Sequence, residues 1–288
     1  MTTSMLRISS TLILGAAATA WAAGVETGSV TAPDGVRIVY DVRGKGDTTL
    51  LFVHCFSCNR TFWRNQADAF ADRYRVVTLD LAGHGESGKD RKTWTILGLA
   101  GDVRLVADKL KLKRIILVGH SMGGPVSLEA ARLMPGRVIG VIAVDTLHDA
   151  ELRIAPEMAQ SIAAKLKADF RGTMAGFMGS MFGKTADPAV REWVSERAQA
   201  ADPAVAVALM LDFPNLDLKK MFAAAGVPIR AINAKPPGAP PTNIEGNRKY
   251  ADFDAVLIDD TGHFVQLERP KEFNERLAQF AAALAKGA

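Results

Sequence analysis

Ser121 sits in Gly119-His120-Ser121-Met122-Gly123, directly after the apolar run Ile115-Ile116-Leu117-Val118 and ahead of a helix-forming stretch. A G-x-S-x-G pattern between a strand and a helix is a nucleophile elbow. The glycines let the backbone turn sharply and close on its neighbours, which pushes the serine hydroxyl out to an exposed apex. The chemistry such a hydroxyl can do is attack on an acyl carbon, provided that a base takes its proton. Among the five histidines, His263 is the best base. It follows an apolar run at 255–258, lies on the Gly-containing loop Thr261-Gly262-His263-Phe264, and leads into the last helix-forming segment. His54, His84, His120 and His148 read as structural side chains. The backbone N–H of Met122, immediately after the nucleophile, is placed to stabilise the oxyanion that attack creates.

These groups need a scaffold, and the hydrophobic pattern supplies one. Residues 27–31 and 36–42 are β-rich runs around the turn tripeptide Pro33-Asp34-Gly35 and predict an opening hairpin. Further strands are predicted at 50–54, 75–80, 115–118, 138–145, 229–233 and 255–258. Helices are predicted at 61–72, 97–110, 122–134 and 271–285. Short continuous runs of Val, Ile and Leu alternating with helices mark strands buried on both faces, hence an α/β fold with a doubly wound, mostly parallel sheet. From 147 to 222 the strand signals stop and the chain turns helical, with Met158, Phe170, Met174, Phe177, Met178, Met181, Trp193, Met210 and Phe222 as its large apolar residues. This predicts an inserted helical cap, with residues 23–146 and 223–288 forming the core. Methionine-rich surfaces adapt to varied shapes, so the cap is expected to face the substrate over Ser121.

Composition narrows the class. The 288 residues are 48% hydrophobic and 23% charged, an ordinary globular balance, and the net charge of +4 is scattered rather than gathered in a stripe. Nucleic acid is therefore not an expected partner. Arg7, the apolar run 8–20 and Ala20-Trp21-Ala22 read as an export signal over residues 1–22, cleaved near Ala23. The run is too short for a membrane span, and no cysteine near the cleavage point offers a site for a lipid anchor. A periplasmic or secreted protein without a stable membrane anchor is expected. The chain's two cysteines form Cys55-Phe56-Ser57-Cys58. In an oxidising compartment they could pair as a disulfide, and otherwise they would pack as small apolar groups.

Four motifs in order carry a resemblance that covers nearly the whole mature chain. They are His54-Cys55-Phe56, the stretch Asp80-Leu81-Ala82-Gly83-His84-Gly85-Glu86-Ser87, the Ser121 turn, and Thr261-Gly262-His263-Phe264. The sequence resembles the α/β-hydrolase fold superfamily, in particular its serine esterases with a helical cap. By that resemblance the second oxyanion donor is the N–H of Phe56, although Cys55 stands where glycine is usual. The third catalytic member, an acid orienting the base, departs from the common pattern. The segment after 229–233 holds no Asp, whereas some members, including a branch of the haloalkane dehalogenases, carry the acid at the end of the preceding strand. Asp145 occupies that place, with Glu245 and Asp149 as alternatives. The resemblance implies a serine hydrolase that cleaves a carboxylic ester or related acyl bond in a small molecule through an acyl-enzyme, with no metal or organic cofactor. Lactonase, C–C hydrolase, aminopeptidase and cofactor-free haloperoxidase-like activities fit the same scaffold. So does a non-enzymatic ligand-binding protein, since fold alone does not fix function.

Overall fold

The computed structural model describes residues 24–235, 237–238 and 241–287. The export signal expected at residues 1–22 lies outside the described residues. Eight strands form one sheet: β1 (Glu26–Thr31), β2 (Arg37–Arg43), β3 (Thr49–Val53), β4 (Arg75–Leu79), β5 (Ile115–His120), β6 (Val138–Val144), β7 (Ile229–Lys235) and β8 (Phe253–Asp259). Their spatial order is β1-β2-β4-β3-β5-β6-β7-β8. The first two strands run as an antiparallel hairpin, β2 joins β4 antiparallel, and every later pairing is parallel.

Alternation along the central strands explains the two layers. Leu51, Val53, Ile115, Leu117, Val141 and Ala143 point to one face, into a core shared with the helices Ile96–Lys109 and Gly123–Leu133. Leu50, Phe52, Ile116, Val118, Ile142 and Val144 point to the other, where Trp63, Phe70, Phe273 and Leu277 cover them. A strand buried on both faces needs apolar residues at every position. That is why β3 and β5 read as unbroken runs, and all eleven of their residues are buried.

Eleven helices flank or follow the strands: α1 (Arg64–Phe70), α2 (Ile96–Lys109), α3 (Gly123–Leu133), α4 (Pro156–Ala168), α5 (Phe170–Gly179), α6 (Pro188–Gln199), α7 (Pro203–Asp212), α8 (Leu218–Ala225), α9 (Ile244–Arg248), α10 (Val265–Glu268) and α11 (Pro270–Lys286). The single helix expected at 61–72 is instead a 3-10 turn, Arg60–Trp63, followed by α1. The Asn59 side chain accepts the Thr61 N–H and starts that tighter turn. Between β6 and β7 the chain is helical, as its composition suggested. Asp187-Pro188 and Asp202-Pro203 give α6 and α7 a side-chain cap followed by proline in the first turn. The last of these helices, α8, packs on α3 and ends at Gly226 in the left-handed conformation (φ 65°). Met158 is 58% exposed and so belongs to neither core nor cavity, and Phe222 packs against Phe253 of β8. No helix among the described residues is long and apolar enough to cross a membrane.

Candidate active site

Ser121, Asp145 and His263 come from the ends of three structural units that the parallel sheet aligns. Ser121 follows β5 directly, Asp145 follows β6, and His263 lies on the loop between β8 and α10. Parallel strands send all their carboxyl ends to one edge of the sheet, which is why side chains up to 142 positions apart in the chain can meet there. Ser121 has φ 54°, a left-handed conformation that costs a non-glycine residue about 1–3 kcal/mol and persists only where its surroundings enforce it. Its N–H donates to the Val144 carbonyl at 3.0 Å and its own carbonyl accepts from Gly124 at 2.8 Å. The turn is closed by glycine at both ends. A Cβ on Gly119 would strike the Gly123 carbonyl, and one on Gly123 would strike the Val53 carbonyl at the end of β3. The elbow therefore touches the backbone that leads into the oxyanion loop.

The His263 imidazole is paired with Asp145, Nδ1 to Oδ2 at 2.6 Å. An acceptor on Nδ1 places the proton there and leaves Nε2 as the basic nitrogen. Both side chains are largely enclosed, with 19% of His263 and 10% of Asp145 accessible. Burial by itself would raise the carboxyl pKa of Asp145. Hydrogen bonding and charge from His148 and His263 overcome this and hold it below the usual carboxylate range, so Asp145 stays ionised. The loop carrying His263 is stitched to the residues that follow α5. The His263 N–H donates to the Met181 carbonyl at 2.6 Å, and the Glu268 carboxylate accepts from both Gly262 (3.1 Å) and Gly183 (3.0 Å). Glu268→Ala would leave two partly buried N–H groups unpaired, at about 1–3 kcal/mol each. We expect a lower Tm together with about a tenfold fall in kcat, read by calorimetry and ester hydrolysis on one preparation. A fall in Tm alone would show that Glu268 serves only the fold.

The other acid candidates are not paired with His263. Glu245 is exposed on α9, where Arg248 takes its carboxylate at 2.6 Å. Asp149 accepts from Asn243 Nδ2 at 3.1 Å and from the Glu151 N–H at 2.8 Å. Neither hydrogen-bonds to His263 among the described residues.

Phe56 and Met122 bracket Ser121 from the loop after β3 and from the residue before α3. Neither N–H has a hydrogen-bond partner among the described residues, which is what an oxyanion donor would require. Cys55 and Cys58 are joined in a disulfide with their Cα atoms 5.2 Å apart. The Cys58 N–H also donates to the Cys55 carbonyl, at 3.2 Å. Ser57, inside that ring, has φ 55°.

Three further histidines are buried, and burial holds each of them neutral. His54 Nδ1–H donates to the Cys55 carbonyl at 2.8 Å, and its Nε2 accepts from the Leu81 N–H at 3.0 Å. This ties the oxyanion loop to the loop after β4. His84 Nδ1–H donates to the Ala82 carbonyl at 3.0 Å. His120 Nε2–H donates to the His263 carbonyl at 2.8 Å while its Nδ1 accepts from Gln266 at 3.2 Å. Burial lowers the pKa of His84 to about 4, and burial together with the neighbouring His263 lowers that of His120 to about 3. Burial also takes His54 well below its ordinary value.

Two cavities meet at Ser121 and His263. The smaller, about 60 Å³, is walled by Phe56, Phe177, Met178, Met181, Met210 and Phe264. The larger, about 260 Å³, is walled by Met122, Pro125, Leu152, Ile154 and Leu218, with His148 and Asp149 as polar points. Phe213 borders both. Residues from α5 and α7 therefore line a cavity that Ser121 also borders.

Residues 50–276 match the model of the alpha/beta hydrolase family. The chain belongs to that family. As an alpha/beta hydrolase it is similar to the pimeloyl-[acyl-carrier protein] methyl ester esterase of Yersinia enterocolitica, at 24% identity over 85% of this chain and 97% of the relative. It is also similar to the dihydrolipoyllysine-residue acetyltransferase component of the acetoin cleaving system of Pseudomonas putida, at 30% identity over 84% of this chain. The alpha/beta hydrolase spans only 30 to 65% of the length of the two acetyltransferase components it matches. Among solved structures, a thermophilic esterase from Thermogutta terrifontis superposes with a TM-score of 0.78 at 25% identity, covering 90% of this chain and 99% of the esterase. Est816, described as an N-acyl homoserine lactone degrading enzyme, superposes with a TM-score of 0.74 at 28% identity, covering 88% and 100%.

Proposed function

We propose that this alpha/beta hydrolase is a serine hydrolase that cleaves a carboxylic ester, cyclic or open, in a small molecule. The observation that carries the reading is the 2.6 Å pairing of the Asp145 carboxylate with His263 Nδ1 beside Ser121. His263 Nε2 takes the Ser121 hydroxyl proton as Oγ attacks the ester carbon. The oxyanion so formed is met by the N–H groups of Phe56 and Met122. Collapse of the tetrahedral intermediate breaks the C–O bond, and the leaving alcohol departs with the proton held on His263. Water, deprotonated by the same nitrogen, then attacks the acyl group on Ser121, and the acyl–Oγ bond breaks as His263 returns that proton to Ser121 Oγ and the acid is released. Asp145 stays ionised throughout and stabilises the imidazolium.

Support for an ester comes from the esterase of Yersinia enterocolitica and the esterase of Thermogutta terrifontis. The likeness to Est816 brings lactones, which are internal esters, into the same class. The unequal cavities favour a substrate with one compact apolar side and one bulkier side. The reading also places the protein outside the cytoplasm. The Ala20-Trp21-Ala22 cleavage signal and the Cys55–Cys58 disulfide both favour an oxidising compartment.

A fluorophosphonate probe tests the nucleophile. We expect one label per chain, located on Ser121 by peptide mapping, with loss of p-nitrophenyl ester hydrolysis in proportion to labelling. A folded protein whose serine stays unlabelled would favour the ligand-binding alternative.

A further inference from the structure

Asp145 is served by two imidazoles, and the reaction above uses only one. His263 takes Oδ2. The other oxygen, Oδ1, accepts the Ala234 N–H at 2.8 Å and faces His148 Nε2 at 3.5 Å. His148 is held from behind by Asn233 Nδ2 at 3.3 Å and Thr242 Oγ1 at 3.2 Å, both on its Nδ1. Asn233 is fully buried at the end of β7, and its amide is oriented by its bonds. Its Oδ1 accepts the Thr146 N–H at 3.1 Å, and its Nδ2 donates to Thr242 Oγ1 at 2.9 Å. An amide nitrogen can only donate, so His148 Nδ1 is an acceptor and its proton sits on Nε2, aimed at Asp145.

The surrounding chain holds this arrangement in place. Asp145 (φ 43°) and Leu147 (φ 56°) are both left-handed, so the backbone between them needs outside support. Asn247, also fully buried, donates to the Leu147 carbonyl and accepts the Ala150 N–H, and the Asn243 N–H donates to the His148 carbonyl. The segment after β7, which lacks a carboxylate for His263, is therefore the brace for the loop that carries one. The titratable groups around His148 are Asp145, Asp149 on its own loop, and His263 across the shared carboxylate. The brace presents the neutral Thr242, Asn243 and Asn247, and its Glu245 is paired with Arg248.

We propose that His148 is a positioning residue for the acid. Its Nε2–H engages Oδ1, fixes the carboxylate in the rotamer that presents Oδ2 to His263, and draws part of the negative charge away from the base. This rests on the reading of Asp145, His263 and Ser121 as the hydrolytic triad. Losing the donor frees the carboxylate to rotate and concentrates its charge on the imidazolium of His263.

The test is steady-state hydrolysis of p-nitrophenyl acetate from pH 5 to 9 by His148→Phe, His148→Gln and Thr242→Val, each checked for folding by circular dichroism. For His148→Phe we expect kcat to fall about tenfold with KM little changed, as for a misplaced catalytic group. The acid limb of kcat/KM should move up by about half a pH unit. His148→Gln, which keeps an N–H donor, should recover most of both. Thr242→Val should move the limb the same way by a smaller amount, and it decides the matter if His148→Phe fails to fold. Unchanged kcat and an unmoved acid limb in the folded variants would overturn the proposal. Ser121→Ala separates this from the underlying reading: if it retains wild-type activity, the triad reading itself fails, whereas an inactive Ser121→Ala beside a fully active His148→Phe sinks only the role of His148.

Discussion

Asp145→Asn will lower kcat for a p-nitrophenyl ester by about four orders of magnitude while leaving the fold intact, by analogy with the loss seen when a triad aspartate becomes an amide. The physical cause is the tautomer. Asp145 Oδ2 accepts the Nδ1 proton of His263 at 2.6 Å. An amide whose NH2 pointed at His263 would force Nδ1 to accept, putting the imidazole proton on Nε2, where the base must be free. Oδ1 already accepts from Ala234 and faces the donor His148. These contacts favour the amide oxygen on that side and turn the NH2 toward His263, the damaging orientation. Glu245→Gln should behave as wild type, because that carboxylate lies on α9 in a pair with Arg248. Full activity in Asp145→Asn would show that the base is oriented by another group.

Stability will begin to fall on acidification at a pH well above that at which most carboxylates titrate. His54, His84 and His120 are buried as neutral rings whose pKa values lie below the ordinary 6.5, at about 4 for His84 and about 3 for His120. Between about pH 6.5 and those lowered values the unfolded chain binds protons that the native chain refuses, so stability rises with pH across that window and falls as acid is added. At about 1.4 kcal/mol per unit of pKa, His84 and His120 would each cost on the order of 3 kcal/mol by pH 4. Asp145 adds a loss of the same sign at lower pH. Its folded pKa is depressed, so its contribution is complete above the unfolded value near 3.8 and disappears as pH falls toward the folded one. Against a total of about 5–15 kcal/mol, this predicts an acid-unfolding midpoint between about pH 4 and 5. Urea unfolding at pH 8, 6 and 5 checks it through the change in midpoint. A constant midpoint from pH 8 to 5 would mean that these rings bind protons in the native state.

Much of this arrangement was legible before any coordinates. The buried strands announced themselves because a strand covered on both sides favours apolar residues along its length, as at 50–53 and 115–118. The elbow was legible because only glycine fits where a turning backbone meets the Gly123 and Val53 carbonyls. His263 stood out by its glycine-containing loop between a strand and the last helix. What failed were local details fixed by a few hydrogen bonds, such as the 3-10 turn that Asn59 starts ahead of α1, and the short helix α9, where no element was predicted. His148 went unrecognised as a partner of Asp145 for a related reason. Its loop folds back through two left-handed residues, Asp145 and Leu147, and no pattern of side-chain types records such a reversal.

The amino-acid order alone determined the layered sheet, the apex that carries Ser121 and the identity of the histidine beside it. Those depend on periodicity and on glycine, which act over a few residues. Only the tertiary structure shows that Asp145, rather than Asp149 or Glu245, pairs with His263, and only it brings Asn233, Thr242 and His148 around that carboxylate. These contacts join positions 94 and 118 residues apart (His148 to Thr242, Asp145 to His263), and their strength depends on burial and on angstrom-scale geometry that a one-dimensional string does not carry.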